Sequence, residues 1–155
     1  MDVGNYVTHM LQCARYPLRA IPEEAVTSAA VDYYVCEVEN GGHNQFIGNS
    51  GWDSNLRHKI RGGLAILGLS ELVEVFTALE FFAASDPEKF HASDWSDPTL
   101  QRLDRQFNEI SLENVFTHHA GWLRTLPALR ILPDTDYHVT MDAITDRNRI
   151  APRSR

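Results

Sequence analysis

The chain has 155 residues, of which 43% are hydrophobic and 23% are charged, and this composition is typical of one ordinary globular domain. Its formal net charge of −7 disfavours direct binding to nucleic acid, because such binding normally needs a basic face. The chain lacks an apolar run of about 18 residues, a signal-peptide pattern and enough cysteines for a disulfide framework, so we expect a cytoplasmic protein without a membrane span.

The first predicted element is a long, largely buried helix that begins near Pro22 and ends at residues 40–42. Proline is tolerated in the first turn of a helix, and the two glutamates that follow favour the positive end of the helix dipole. Apolar residues cover most of the helix and leave one polar stripe. That stripe contains Glu24, Ser28, Asp32 and Glu39. The asparagine and two glycines at residues 40–42 are residue types that close a helix in the left-handed conformation.

Two helices are predicted after this bend. Asp53 is expected to cap the first of them, and Gly68 is expected to close it. Gly62 and Gly63 lie inside this helix, where they lower its intrinsic stability but allow another helix to approach closely. Ser70 is expected to cap the next helix, which is apolar almost all round and is therefore the candidate for the central helix.

The C-terminal half of the chain predicts two more helices and an ambiguous end. Residues 86–97 are expected to form a polar loop, after which Asp97 and Pro98 supply a cap and a first helical residue. A further helix carries apolar residues at helical spacing and ends before Pro127. The stretch 137–145 is compatible with either a short strand or a helical turn.

These elements predict an all-α fold, a single compact domain of about six or seven helices over residues 1–146. No strand pattern of useful length, no internal repeat and no long linker divides the chain. Residues 147–155 are basic and contain a proline, so we expect them to form a frayed C-terminal tail.

The negative charge is concentrated in residues 71–113, called the acidic segment below. This segment carries ten acidic and three basic residues, whereas the rest of the chain carries eleven of each. The carboxylates that fall outside its apolar helix faces form a candidate interaction surface. They are Glu71, Glu74, Asp94, Asp97, Asp104, Glu109 and Glu113. A solvated face that only keeps the protein soluble is the simpler interpretation.

A polar motif punctuated by glycines, EVENGGHNQFIGNSGW, covers residues 37–52. Its candidate site residues are Asn40, Gly41, Gly42, His43, Gln45, Phe46, Asn49, Ser50 and Trp52. Gln45 and Asn49 share a helix face, so their amides can satisfy backbone groups freed at a bend, while Phe46 fills the core. The alternative is a polar pocket between His43 and Trp52, used by a small-ligand-binding module or a weak enzyme.

No catalytic or metal-binding constellation stands out from the sequence. Ser50 lies near glycines, but the serine elbow of hydrolases needs a preceding strand, and none is predicted. His118 and His119 point about 100° apart on a helix and the other histidines are scattered, so no metal site is predicted. His119 lies on an apolar face, as a core histidine with satisfied hydrogen bonds would. We therefore predict no catalytic residue and no cofactor, and the sequence disfavours an enzyme.

The polar motif resembles the signature N-G-G-[aromatic]-x-Q-F-x-x-N-S-x-G of a bacterial family of unknown function that includes a dimeric DNA-mimic protein. His43 stands here where the family usually has an aromatic residue. The resemblance covers about residues 25–130. Further matching positions are Leu67, Gly68, Leu103, Asp104 and Phe107.

This resemblance implies an all-α, cytoplasmic bacterial protein, and it is compatible with a homodimer. In the DNA-mimic relative, surface carboxylates stand in for phosphates and occupy the DNA-binding face of a transcription factor. A similar role implies that the partner of this protein is a basic DNA-binding protein and that salt weakens their binding. It also implies that this protein does not itself bind nucleic acid. A structural accessory domain that acts only through dimerisation is a third hypothesis.

Overall fold

The computed structural model describes residues 21–127 and 133–150. Seven helices form this part of the chain, which contains no strand, so the predicted all-α class is confirmed. They are α1 (Glu23–Ser50), α2 (Ser54–Ile66), α3 (Ser70–Ser85), α4 (Pro87–Ala92), α5 (Pro98–Asn108), α6 (Leu112–Thr125) and α7 (Asp134–Ile150). None of these described helices combines the length and the apolar character needed to cross a bilayer.

Helix α1 is sharply kinked at Gly41 and Gly42, where the sequence predicted a helix end. Gly42 has φ +72° and ψ −178°, a backbone conformation that is essentially restricted to glycine. The rings of Tyr34 and Phe46 lie 5.1 Å apart between centroids, although twelve residues of straight helix rise about 18 Å. The kink therefore folds the two halves of α1 towards each other.

Four helices surround the main core. Helix α1 packs against α2 and α5, and α3 packs against the same two helices from the other side. Tyr34 lies at the centre of this arrangement, with its ring 5.0 Å from Phe76 and 6.1 Å from Phe107 between centroids. Helix α3, predicted as the central helix, packs against α2, α4 and α5, but it leaves Phe81 72% exposed and is therefore not buried on all sides.

The two glycines inside α2 have different surroundings. A Cβ atom on Gly63 would lie 2.6 Å from Val31 and 2.9 Å from Thr27, so only a glycine allows α2 to approach α1 this closely. A Cβ atom on Gly62 would meet open space. The prediction of close packing therefore applies to Gly63 and not to Gly62.

Two of the predicted helix caps are present and one is absent. The Asp53 side chain accepts a hydrogen bond from the backbone N–H of Leu56, and Asp97 caps α5 in the same way. Ser70 makes no capping bond, because α3 begins at Ser70 itself and the preceding Leu69 occupies the cap position. Leu69 is buried, which indicates that core packing determines where this helix begins.

The predicted loop at residues 86–97 contains the short helix α4. Asp86 caps this helix and Phe90 anchors it in the core, with only 2% of its surface exposed. Six residues are too few to produce a clear helical period, which explains why the sequence did not reveal it. The ambiguous stretch 137–145 lies within α7, and this helix continues to Ile150 through part of the predicted tail. The rest of that tail lies outside the described residues.

Candidate functional site

The polar motif surrounds a buried histidine, His43. The Nδ1 atom of His43 lies 2.6 Å from Oδ1 of Asp104 in α5, and its Nε2 lies 3.1 Å from the hydroxyl of Tyr34. The backbone N–H of His43 donates to the same Asp104 oxygen at 2.8 Å. Nδ1 therefore carries the proton that is donated to Asp104, and in the neutral ring Nε2 accepts from Tyr34. This network links both halves of α1 to α5.

Asp104 and Tyr34 form the two ends of the His43 network. Burial raises the pKa of Asp104, but hydrogen bonds from the ring and backbone of His43, and the charge of that ring, lower it below its usual value overall. Burial and then the charge of Asp104 raise the pKa of Tyr34, so the phenol keeps its proton. A Cβ atom on Gly42 would lie 2.7 Å from Oδ2 of Asp104, so the network also requires this glycine.

A second network in the polar motif holds Glu37. Gln45 Nε2 and Asn49 Nδ2 both donate to Oε2 of Glu37, at 2.9 and 2.7 Å. The two amides share a helix face, as predicted, but they bond a carboxylate from the first half of α1 rather than backbone groups. Burial and then the charge of Glu37 raise the pKa of Tyr33. Asn40 is exposed at the kink and makes none of these contacts.

The end of the polar motif is a compact turn. The Ser50 hydroxyl donates to the carbonyl of Ile47 and accepts from the backbone N–H of Trp52. Trp52 has a positive φ of 54°, and its ring lies 4.7 Å from that of Phe90 between centroids. The guanidinium of Arg57 lies 4.6 Å from the centroid of the Trp52 ring. The tryptophan therefore joins α1, α2 and α4.

A third network centres on His119 in α6, and sequence reasoning did not find its partners. His119 Nε2 lies 2.7 Å from the Ser28 hydroxyl, and Nδ1 lies 3.0 Å from Oδ1 of Asp32. His119 is 5% exposed, which confirms the predicted core histidine with satisfied hydrogen bonds. Ser28, placed on the polar stripe by the sequence, is fully buried. The spacing of Ser28 and Asp32, four residues apart on one helix face, is the sequence signal from which this network could have been found.

The His119 network has the connectivity of a Ser-His-Asp triad, but its surroundings do not suit catalysis. Ser28 is inaccessible and lies inside a helix, where neighbouring backbone N–H groups bond within the helix and cannot form an oxyanion hole. No three His, Cys, Asp or Glu side chains in residues 21–127 and 133–150 converge on a metal-ion position. The networks of His43 and His119 are therefore best explained as structural links from α1 to α5 and to α6, and the Glu37 network as a link between the two halves of α1.

The structure divides the seven acidic candidates into two groups. Five are exposed: Glu71, Glu74, Asp94, Glu109 and Glu113. Asp97 is buried, caps α5 and lies 3.6 Å from Lys89, and Asp104 bonds His43. These two carboxylates stabilise the fold, so the proposed surface loses Asp97 and retains Asp104 only as a partly exposed structural residue.

Comparison with known proteins identifies one family. A family model described as DMP19-like protein matches residues 19–126, which include the whole polar motif and helices α1 to α6. Helix α7 lies beyond the match. Neither the curated proteins nor the solved structures contained a match.

Proposed function

The chain belongs to the DMP19-like protein family, and we propose that it is an acidic interaction protein that binds the basic, nucleic-acid-binding surface of another protein in place of DNA. The observation that supports this proposal is the set of five exposed carboxylates in the acidic segment. Within the described residues, none of the five forms an ion pair with a lysine or arginine. The segment's ion-paired carboxylates are instead Glu80, which bonds Arg57 and Arg61, and Asp97.

Uncompensated carboxylates can attract a DNA-binding surface through the same long-range forces as phosphates. A basic groove gains favourable Coulomb energy from any negative surface of suitable spacing, and this attraction speeds association. Exposed charges are screened over a Debye length of about 8 Å at physiological salt. Binding is therefore expected to weaken as salt is added. Arg102 and Arg105 are exposed on α5 and oppose this attraction, so the contact surface should avoid them.

Glu37 and Asp104 add carboxylates whose positions are fixed by the fold. Both amide donors reach Oε2 of Glu37, and both donors from His43 reach Oδ1 of Asp104. The second oxygen of each carboxylate accepts no described hydrogen bond. A fixed carboxylate loses less side-chain entropy when a partner cation binds it than a mobile one does.

The alternative function, a small-ligand module or weak enzyme between His43 and Trp52, receives less support. His43 and Phe46 are 0% exposed, so a ligand in this region could not reach them without rearrangement. The amide groups of Gln45 and Asn49 and the Ser50 hydroxyl are bonded within the protein. These contacts favour a structural role for the motif.

The proposal can be tested by passing host lysate over the immobilised protein and eluting with a salt gradient. DNA-binding proteins should elute at moderate salt and be displaced by duplex DNA. The double variant Glu74→Lys/Glu109→Lys should lose them, because it reverses two exposed charges whose side chains form no described hydrogen bond or ion pair. The double variant Glu24→Lys/Glu39→Lys makes the same charge change outside the acidic segment and should retain them. Equal retention by both variants, or no DNA-binding protein in the eluate, would contradict the proposal.

A further inference from the structure

Trp95 is the most exposed of the large apolar side chains in the described part of the chain. It is 75% exposed and lies in the turn between α4 and α5. An indole left in water forgoes a large hydrophobic stabilisation, and tryptophan is enriched among residues that dominate binding energy at protein interfaces. The exposed indole is therefore a candidate contact residue for a binding partner.

Hydrogen bonds fix the backbone of the turn that carries Trp95. Oδ1 of Asp94 accepts from both the backbone N–H and the hydroxyl of Ser96, at 2.8 and 2.6 Å. The N–H of Asp97 donates to the Asp94 carbonyl at 3.0 Å, and Gln101 Nε2 donates to the Trp95 carbonyl at 3.4 Å. The backbone on both sides of the indole is thus fixed, which reduces the entropy lost on binding.

The charges around this turn are negative and largely uncompensated. Asp86, Glu88 and Asp94 are exposed in residues 86–97. Lys89 is the only lysine or arginine in this stretch, and it faces Asp97 at 3.6 Å and the Phe82 ring at 5.4 Å. An exposed indole that follows a carboxylate directly in the chain suits a cation, because the face of an indole carries negative potential.

We propose that Trp95 anchors the interaction surface and binds an arginine side chain of the basic partner on its indole face, with the preceding residue, Asp94, supplying the carboxylate that bonds the same guanidinium. This inference rests on the proposed function and names the contact through which the partner is bound. Arginine suits the contact better than lysine, because its planar guanidinium stacks on an aromatic ring and can bond a carboxylate at the same time.

Phe81 provides a matched control for this contact. It is 72% exposed, close to the value for Trp95, but it lies on α3. The carboxylate that precedes it, Glu80, already lies within 3.4 Å of Arg57 and 3.3 Å of Arg61. Phe81 therefore offers an exposed aromatic ring without an uncompensated carboxylate next to it in the chain.

The experiment measures the binding of fluorescein-labelled nona-arginine and nona-lysine to the full chain by fluorescence anisotropy. The wild-type protein should bind nona-arginine more tightly than nona-lysine. Trp95→Ala should weaken nona-arginine binding by about tenfold, the loss expected for a cation on an aromatic face that is partly shielded from water. Trp95→Phe should weaken it less, and Phe81→Ala should bind as the wild type does.

Iodide quenching of tryptophan fluorescence, measured with unlabelled peptide, gives an independent measurement. The other described tryptophans, Trp52 and Trp122, are half-buried, so Trp95 should dominate the quenching. Bound nona-arginine should protect the wild-type fluorescence and should not change that of Trp95→Phe. Unchanged binding by Trp95→Ala, with weaker binding by Glu74→Lys/Glu109→Lys, would overturn the role of Trp95 and leave the proposed function intact. A wild-type protein that binds neither peptide would contradict both.

Discussion

The hydroxyl of Tyr34 and Nε2 of His43 lie 3.1 Å apart across the kink of α1, and both side chains are completely buried. The other ring nitrogen of His43 bonds Asp104 on α5, so the Tyr34 hydroxyl completes a chain of hydrogen bonds that extends from the core to the surface. A buried polar atom that loses its partner keeps its full desolvation cost. The conformation of the kink should therefore depend on this pair.

Tyr34→Phe should lower the free energy of unfolding by about 1–3 kcal/mol, because it leaves Nε2 of His43 buried without a partner. Chemical denaturation followed by circular dichroism measures the change. Tyr33→Phe removes the same hydroxyl from a half-buried neighbour that faces Phe46, and it should cost less than about 0.5 kcal/mol. Equal losses in the two variants would show that the hydrogen bond to His43 contributes nothing specific.

Asp104 should make stability depend on pH in the acid range. Its pKa in the folded protein lies below the unfolded value of about 4, so its contribution is complete above that value and is lost as the pH falls through the folded pKa. Asp104→Asn should therefore be less stable than the wild type at neutral pH, and the difference should shrink below about pH 4. Urea denaturation across a pH series tests this. Glu74→Gln, which neutralises an exposed carboxylate outside the His43 network, should be as stable as the wild type at neutral pH.

Two glycine substitutions should have opposite effects. Gly42→Ala should cost at least about 2 kcal/mol, since the residue has a positive φ and the new methyl group would meet the Asp104 carboxylate. Gly62→Ala should instead stabilise the protein by about 0.5–1 kcal/mol, because its Cβ would face open space in a helix interior. Thermal unfolding of both variants measures the contrast, and a Gly62→Ala variant with a lowered Tm would contradict it.

His119 should control how firmly α6 is attached to α1. Val115 and His119 are the buried residues of this helix, and both ring nitrogens of His119 contact residues of α1. His119→Ala should therefore speed amide hydrogen exchange across α6 much more than across α3. Thr117→Ala, an exposed change on the same helix, should leave exchange as in the wild type. Uniform acceleration in every helix would mean that the residue supports global stability rather than this attachment.

Local signals in the sequence were sufficient for much of the fold. Asp53 and Asp97 act as helix caps, because a side chain and the backbone N–H groups two or three residues later form a unit that needs no distant partner. The glycines at the kink were recognised because their backbone conformation is also a local property that needs no distant partner. The Ser70 cap was wrong, since the burial of the adjacent Leu69 is a property of the core.

The candidate site was predicted less completely, and the errors share one cause. The acidic candidates were chosen because they lay off the apolar helix faces, yet Asp97 is only 9% exposed and Asp104 bonds a buried ring. Whether an acidic side chain meets water or a polar group depends on the neighbouring helix. That neighbour cannot be read from the period of a single helix.

The sequence by itself determined the all-α class, the position of the kink, several caps and the concentration of negative charge, because these follow from composition and from residues close together in the chain. Only the tertiary structure decided that His43 bonds Asp104, 61 positions away, and that His119 bonds Ser28, 91 positions away. Such partners are selected when α5 and α6 pack against α1. The physical reason is that a buried polar atom takes whichever partner the packing places within hydrogen-bond distance.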